Sequence, residues 1–277
     1  MEPFFSVIVV SYRSGGKLRR TVANILEQTC TDLEIVIQDG LSDDGSTDGL
    51  PEDPRIRLFS GRDSGIYDAM NRAVKRASGR YFYFLNCGDL FFSKDVLEKV
   101  RAAAEAEEAA APHVSAQDAA PRRYVFYGDI KERKSGQIVA SNPVMDDFAC
   151  YRNAPCHQAC FYDRTLFAKR GFDTDLRVRA DYEHFLWCVY RAHVRTVYLQ
   201  FTVADYEGGG FSESPGNRKL SALEHEAVTA LYLSPGKRLL YKSCMAVTLQ
   251  PLREKIAHGK HTAALYDRVK NGIYHRK

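Results

Sequence analysis

The chain has 277 residues, 45% hydrophobic and 27% charged, with a net charge of +4, which is typical of an ordinary globular protein. No apolar stretch reaches the ~18 residues of a membrane-spanning helix, and the opening "MEPFFSVIVVSYR" lacks the basic region and cleavage site of a signal peptide. These features argue against a helical membrane protein and against export, and we expect a cytoplasmic protein.

Predicted strands and helices alternate through the first 90 residues. Apolar runs bounded by turn formers predict buried strands at residues 4–10, 33–38, 55–60 and 81–86, and amphipathic stretches predict helices at 16–28 and 65–77. Strands that alternate with helices are typical of parallel βαβ units with helices on both faces of the sheet. The predicted fold class is therefore α/β.

The later part of the chain is predicted to continue the sheet after an interruption. A helix from Ser93 leads into "RAAAEAEEAAAPHVSAQDAAP", whose second half we interpret as a loose surface excursion. Strands are predicted in "RRYVFYGDI", with a hairpin partner in "GQIVASN", and in "PCHQACFY"; a helix is predicted at 180–192, and "VRTVYLQF" and "TVADYEGGGFS" close the α/β part.

Beyond Pro215 the pattern turns helical and basic, with 12 Lys or Arg against 4 Asp or Glu in residues 216–277. We predict an α/β domain at 1–215 and a basic helical segment at 216–277. Such a segment indicates a negatively charged partner, either a membrane surface or a nucleic acid. Its Leu, Ile, Val and Tyr residues, interleaved with Lys and Arg, favour the membrane surface, although a helical cap or an oligomer contact fits the pattern almost as well.

The seven cysteines have no spacing typical of a disulfide framework. Cys156, His157 and Cys160 form one tight cluster, but a zinc site would need a second ligand pair, which is not evident. We interpret the cysteines as reduced thiols.

Three predicted strands end in polar residues: Ser11-Tyr12-Arg13, Gln38-Asp39-Gly40 and Asn86-Cys87-Gly88-Asp89. Turn formation alone explains any one of these ends. In a parallel sheet all three meet at one edge, where open α/β sheets bind their ligands. The sequence therefore predicts a binding cleft at the carboxyl ends of these strands.

The chemistry of these ends indicates a nucleoside diphosphate ligand. The first strand-to-helix turn has neither G-x-G-x-x-G nor the P-loop pattern. Asp39 can instead accept hydrogen bonds from a base or a ribose. Asp89 offers the hard oxygen ligand that Mg²⁺ or Mn²⁺ prefers, and such ions share the phosphates of their substrate.

The opening "FSVIVVSYRSGGKLRRTVANILEQTCTDLEIVIQDGLSDDGSTD" resembles family 2 glycosyltransferases, which have the GT-A fold of a mainly parallel sheet flanked by helices. The family pattern has Asn where this chain has Arg13, and "DGLSDDGSTD" carries one extra residue. "GIYDAMNRAVKRASGRYFYFLNCGD" is similar to a subgroup of bacterial capsule, O-antigen and colanic-acid transferases, in which the Asp-x-Asp metal motif appears as Asn-x-Gly-Asp. "HQACFY", "RADYEHFLWC" and "GGGFS" match that subgroup in the same order, so the resemblance covers residues 4 to about 215.

The resemblance implies a role for each matched position, with nucleotide-sugar binding in the N-terminal part and acceptor binding in the later part. Asp181 is the expected catalytic base and Asp89 the expected ligand of Mg²⁺ or Mn²⁺. The expected nucleotide and donor contacts are Ser11, Tyr12, Arg13, Asp39, Asp44, Asp68, Asn71 and Asn86. The acceptor-side candidates are His157, Glu183, Gly209 and Gly210, of which Glu183 is also the alternative base.

Most of these positions also have a structural interpretation, in which the residue has no role in binding or catalysis. Asp39 and Asp44 fit turn residues, and Asp68 and Asn71 fit the solvated face of a helix. His157 fits an interior histidine. Asp181 fits the N-cap of its helix, since Asp is a favoured capping residue.

The sequence thus predicts an inverting, metal-dependent glycosyltransferase. The donor expected by family analogy is a UDP-sugar, and the acceptor is a hydroxyl of a lipid-linked (polyprenyl diphosphate type) or growing surface polysaccharide. We expect no nucleic acid partner, association with the inner face of the cell membrane, and an oligomeric state that the sequence leaves open. The alternatives are a sugar-nucleotide pyrophosphorylase and an inactive nucleotide-binding scaffold.

Overall fold

The computed structural model describes residues 2–110, 123–208 and 215–247. Within these ranges nine strands occur: β1 (Phe5–Ser11), β2 (Leu33–Asp39), β3 (Ile56–Ser60), β4 (Tyr81–Phe84), β5 (Leu90–Phe91), β6 (Tyr124–Glu132), β7 (Ile138–Val139), β8 (Cys160–Asp163) and β9 (Arg195–Tyr206). The helices of the same ranges are α1 (Lys17–Leu26), α2 (Ile66–Val74), α3 (Val96–Ala109), α4 (Asp147–Arg152), α5 (Arg164–Lys169), α6 (Ala180–Tyr190), α7 (Pro215–Tyr232) and α8 (Pro235–Val247). The predicted surface excursion after Pro112, the candidates Gly209 and Gly210, and the basic segment beyond Val247 lie outside the described residues.

The first four strands form a parallel unit with β1 at its centre. All seven residues of β1 and all seven of β2 are buried, as expected for strands covered by helices on both faces. The register pairs Phe5 with both Leu33 and Tyr81, and it places Ser11 beside Asp39 at the carboxyl end. The α/β expectation is confirmed, and two of the three polar strand ends are direct neighbours.

The second half of the sheet is mixed. The strand order is β3-β2-β1-β4-β8-β6-β9-β5, with β7 paired to β6. β8 runs antiparallel to both β4 and β6, whereas β6 and β9 are parallel. "VRTVYLQF" and the first half of "TVADYEGGGFS" form one strand, β9, in which Gln200 has a φ of 59° near a register shift against β6. This strand returns the chain to β5, directly after the third polar strand end.

Aromatic side chains pack the core next to β4. Tyr83 stacks on Phe161 with ring centroids 4.4 Å apart and on Phe91 at 4.8 Å, so strands β4, β8 and β5 are packed through one column of rings. Aromatic pairs of this kind contribute beyond the area that they bury. The dense "YFYFL" run is therefore the structural support of the loop that follows it.

The chain divides into two compact units, at Met1–Val228 and Thr229–Lys277, and the division falls within α7. The first unit contains the entire sheet and the first part of α7, so its limit lies 13 residues beyond the predicted boundary at residue 215. The predicted helical pattern after Pro215 is present as α7 and α8, separated near Pro235. Among the described helices, none combines the length and apolar character needed to cross a membrane.

Candidate active site

A backbone hydrogen bond joins the carboxyl ends of β1 and β2, and side-chain bonds order the turn after β2. The amide of Gly40 donates to the carbonyl of Ser11 at 2.8 Å. Asp39 is only 1% exposed, and its carboxylate accepts from the amide and the hydroxyl of Ser42 at 2.8 and 2.5 Å. Asp39 therefore organises its own turn, as the structural interpretation predicts, and it does so at the edge where a ligand would lie.

Tyr12 and Asp63 flank the backbone of Gly40. A Cβ atom at position 40 would lie 3.0 Å from Oδ2 of Asp63 and 3.1 Å from the ring of Tyr12, so a side chain there would have to displace one of them. The ring of Tyr12 is 62% exposed and presents an open aromatic surface at this edge. Burial raises the pKa of Asp63. Sequence reasoning missed Asp63, whose only signal is the turn-forming "RDSG" that precedes α2.

Arg13 occupies a backbone conformation that suits asparagine. Its φ is 47°, in the left-handed region where Asn is enriched and long side chains are rare. Its amide donates to the hydroxyl of Ser42 at 2.9 Å, and its guanidinium pairs with Asp43 at 2.8 Å. Arg13 thus keeps the backbone turn that Asn would form, and its guanidinium pairs with the loop after β2.

Asp44 ties the loop after β1 to the loop after β2. Its carboxylate accepts from the amide of Gly15 at 3.1 Å and from the amide of Ser46 at 3.0 Å. The hydroxyl of Ser46 also donates to it, and this bond is the main cause of its lowered pKa. These bonds support the turn interpretation of Asp44.

Asp89 is not an exposed strand-end carboxylate. It is 3% exposed, and its oxygens accept from the amide of Glu207 at 2.8 Å and from the side chain of Gln158 at 3.1 Å. Burial raises its pKa to about 6. The end of β9 covers this side chain, so Asp89 joins three segments of the fold.

The neighbours of Asp89 supply further oxygen atoms. Oδ1 of Asn86 is buried and has no hydrogen-bond partner among the residues that the structure describes. The carboxylate of Glu207 lies against Gly88, where its Oε2 would be 2.5 Å from an added Cβ atom. No group of three or more His, Cys, Asp or Glu side chains in the described ranges is arranged to hold a metal ion. The hard oxygens of Asn86, Asp89 and Glu207 nevertheless fit Mg²⁺ or Mn²⁺, which keep waters and phosphate oxygens among their ligands.

Asp181 lies in the first turn of α6. Arg179 occupies the N-cap position, so the interpretation of Asp181 as the helix N-cap is wrong. Oδ1 of Asp181 accepts from the hydroxyl of Tyr67 at 3.0 Å and from the amide of Tyr182 at 2.8 Å. The Tyr67 hydroxyl shares its single proton with the carbonyl of Val178, which lies at 2.8 Å. Within the described part of the chain, Oδ2 of Asp181 has no hydrogen-bond partner.

The backbone before α6 is held by Glu224 of α7. This carboxylate, 7% exposed, accepts from three consecutive amides, those of Arg177, Val178 and Arg179, at 2.8–3.0 Å. These amides have no intrahelical partner, so Glu224 satisfies them as a side-chain cap does. Sequence reasoning missed Glu224 because the resemblance ends near residue 215.

The α2 side chains Asp68 and Asn71 have different surroundings. Asp68 accepts from the amide of Ser64 at 2.9 Å and pairs with Arg72 at 3.1 Å, near the surface. Asn71 is partly buried, and its amide group exchanges two hydrogen bonds with the backbone of Phe172, at 2.8 and 2.9 Å. A solvated helix face is therefore the wrong description of Asn71, which fastens α2 to the segment before α6.

His157 and Glu183 are interior residues. The His157 ring is 7% exposed and packs 4.9 Å from Phe84, and burial lowers its pKa. Glu183 is 2% exposed, and both of its oxygens accept from the guanidinium of Arg170, at 3.0 and 3.1 Å. This geometry supports the interior interpretation of His157, and it leaves Asp181 as the more accessible of the two candidate bases.

The chain is similar to a known protein family and to named members of that family. The model of the family described as "Glycosyl transferase family 2" matches residues 6–162. A PGL/p-HBAD biosynthesis glycosyltransferase of Mycobacterium bovis is 33% identical over 221 residues, covering 76% of this chain and 80% of the relative. TuaG of Bacillus subtilis, named for teichuronic acid biosynthesis, is 38% identical over 103 residues, or 35% of this chain and 40% of TuaG.

Solved structures share the fold. S. aureus TarS 1–349 in complex with UDP-GlcNAc has a TM-score of 0.63 at 17% identity, covering 86% of this chain and 69% of TarS 1–349. The mannosyltransferase PcManGT from Pyrobaculum calidifontis, in complex with GDP-Man and Mn²⁺, has a TM-score of 0.55 at 17% identity, covering 100% of this chain and 89% of that protein. The predicted GT-A fold is confirmed by this likeness. From the family match and the identity to its relatives, the chain belongs to glycosyltransferase family 2.

Proposed function

We propose that the protein is an inverting, metal-dependent glycosyltransferase that moves a sugar from a UDP-sugar to a hydroxyl of a lipid-linked or surface glycan. The observation that carries the mechanism is the state of Asp181: one oxygen is fixed by two hydrogen bonds, and the other is left to accept a proton. Relatives named for PGL/p-HBAD and teichuronic acid biosynthesis support a cell-surface product, and the UDP-GlcNAc complex of TarS supports the donor class.

The donor end of the proposed site is the edge formed by β1 and β2. Asp39 keeps acceptor capacity after its bonds to Ser42, since each carboxylate oxygen has two lone pairs. It can therefore also accept from a uracil imide or a ribose hydroxyl. The exposed ring of Tyr12 offers a face on which the base can stack, an interaction worth roughly 1–3 kcal/mol per base.

Inversion requires a single displacement. The acceptor oxygen attacks the anomeric carbon as the bond from that carbon to the diphosphate oxygen breaks, and the acceptor proton passes to Oδ2 of Asp181. Tyr67 and the amide of Tyr182 orient the carboxylate for this transfer. Asn86, Asp89 and Glu207 would hold a divalent cation, which would compensate the charge of the leaving nucleoside diphosphate.

The test is a product analysis of purified protein with a panel of UDP-, GDP- and dTDP-sugars, Mn²⁺ and candidate acceptors. We expect release of UDP and a product whose anomeric configuration, read by NMR, is inverted. Release of pyrophosphate would instead support the pyrophosphorylase alternative, and donor binding without turnover would support the inactive scaffold. Retention of configuration would contradict the single displacement.

The Asp181→Asn variant tests the base directly, because it keeps the size of the side chain and its acceptor oxygen. We expect it to bind donor normally and to transfer at least ~100-fold more slowly. Glu183→Gln is the matched comparison, and we expect it to lose stability through its broken pair with Arg170. Normal transfer by Asp181→Asn would assign the proton to another group.

A further inference from the structure

The carboxylate of Glu207 occupies the space that a side chain at position 88 would fill. Gly88 has a φ of 102°, and a Cβ atom there would lie 2.5 Å from Oε2 and 3.1 Å from Cδ of Glu207. The loop after β4 thus has no side chain of its own at this point. The carboxylate of Glu207, which directly follows β9, lies there instead.

The backbone of Glu207 is fixed in this place from two sides. Its amide donates to Oδ1 of Asp89 at 2.8 Å, and β9 is paired with β5 up to the register pair Leu90–Asp205. Arg133 reinforces the junction, because it donates to the carbonyl of Gly88 at 3.0 Å and pairs with Asp205 at 3.0 Å. The backbone that carries the Glu207 carboxylate is therefore held in place, although the side chain itself is 36% exposed.

The Glu207 carboxylate already forms an ion pair with a lysine. Nζ of Lys17, the first residue of α1, lies 2.7 Å from Oε2 of Glu207, and its side chain is 55% exposed. Exposed ion pairs of this kind are weak. A divalent cation can therefore displace the Lys17 ammonium from the Glu207 carboxylate. Oδ1 of Asn86, two residues before Gly88, is buried without a hydrogen-bond partner among the described residues and is a further oxygen donor in the same loop.

We propose that Glu207 is a direct ligand of the divalent cation that accompanies the donor diphosphate, and that Lys17 holds its place in the cation-free protein. In this arrangement Asp89 is a positioning residue for Glu207 as well as a candidate ligand. The inference rests on the proposed function, since it assumes a cation bound with a nucleoside diphosphate. The proposed ligand Glu207 lies 118 positions after Asp89 in the sequence.

The experiment measures Mn²⁺ binding by EPR of the free ion, with and without UDP, on the 277-residue chain. We expect Glu207→Gln to weaken Mn²⁺ binding at least tenfold and Lys17→Met to leave it equal or tighter, because the competing ammonium is gone. Glu132→Gln is the control: its carboxylate lies on the adjoining strand end, 3.5 Å from an added Cβ atom at position 208, and carries the same charge. We expect it to bind Mn²⁺ like the unmodified protein.

Unchanged Mn²⁺ binding by a folded Glu207→Gln protein would overturn the inference, and so would a tenfold loss in Lys17→Met. A thermal shift with UDP alone separates this failure from failure of the proposed function. If UDP stabilises the protein and Glu207→Gln keeps its Mn²⁺ affinity, the inference about Glu207 is wrong and the glycosyltransferase proposal stands. If neither UDP nor any other nucleotide stabilises the protein, both are wrong.

Discussion

The hydroxyl of Tyr67 lies 3.0 Å from Oδ1 of Asp181, although 114 positions separate the two residues in the chain. Tyr67 belongs to α2, which follows the donor-side strands, and Asp181 lies in the first turn of α6. The bond therefore couples the two halves of the proposed site. Burial, and next the charge of Asp181, raise the pKa of Tyr67 well above its ordinary value, so the hydroxyl keeps its proton at neutral pH.

We predict that Tyr67→Phe slows transfer roughly tenfold while the KM for donor changes little, since a misaligned base acts mainly on the chemical step. The measurement is kcat and KM at saturating acceptor. Tyr127→Phe is the matched control, because it removes another buried hydroxyl, which donates to the carbonyl of Asn142 at 2.8 Å. Equal losses in the two variants would mean that Tyr67 acts through general stability.

We predict that Glu224→Ala lowers the free energy of unfolding by about 2–4 kcal/mol, because three backbone amides lose a charged acceptor. Glu224→Gln should lose less, since its amide oxygen still accepts. Urea denaturation of each variant checks the order. The exposed neighbour Glu226 is the control, and a Glu226→Ala change as large as that of Glu224→Ala would contradict the capping role.

We predict that His184 makes the protein less stable in acid. Burial, and next the charge of Arg170, lower the pKa of His184 to about 3. Burial also lowers the pKa of His157. The unfolded chain binds a proton at His184 below about pH 6.5, whereas the folded chain does not until about pH 3. The free energy of unfolding is therefore not reduced by His184 above about pH 6.5, and it falls as the pH drops below that value.

The measurement compares the unmodified protein with His184→Phe, whose ring can keep the stacking on Phe167, now 4.4 Å between centroids. Between pH 7.5 and 5.0 the unmodified protein should lose about 2 kcal/mol more free energy of unfolding than the variant. Parallel pH profiles of the two proteins would show that His184 does not titrate as its burial requires.

We predict that the basic C-terminal segment binds anionic membranes. In its described part, α8 exposes Leu239 and Leu240, at 69% and 58%, next to Lys237 and Arg238. Apolar burial and attraction to anionic lipid both favour adsorption of such a surface. Co-sedimentation with anionic vesicles should be strong at low salt, weaker at high salt and reduced by Leu239→Asp. Absence of binding at low salt would favour the helical cap or the oligomer contact instead.

The sequence alone determined the local elements and the order of the polar strand ends. Buried runs such as "FSVIVV" and "LEIVIQ" predict strands because they are mostly apolar and rich in β-branched residues, and β1 and β2 have these bounds to within one residue. Parallel pairing then follows from the intervening helix, which is why the meeting of Ser11 and Asp39 was predictable. Family membership followed from these same local patterns.

Only the tertiary structure decided which distant residues complete the site. Periodicity describes neighbours within a few residues, whereas Glu207 meets Lys17 across 190 positions and Asp89 across 118. These meetings depend on the strand order, in which β9 passes between β6 and β5 and covers the loop after β4. The same crossing buries Asp89, which the sequence places at an open strand end, because the exposure of a side chain depends on what packs over it.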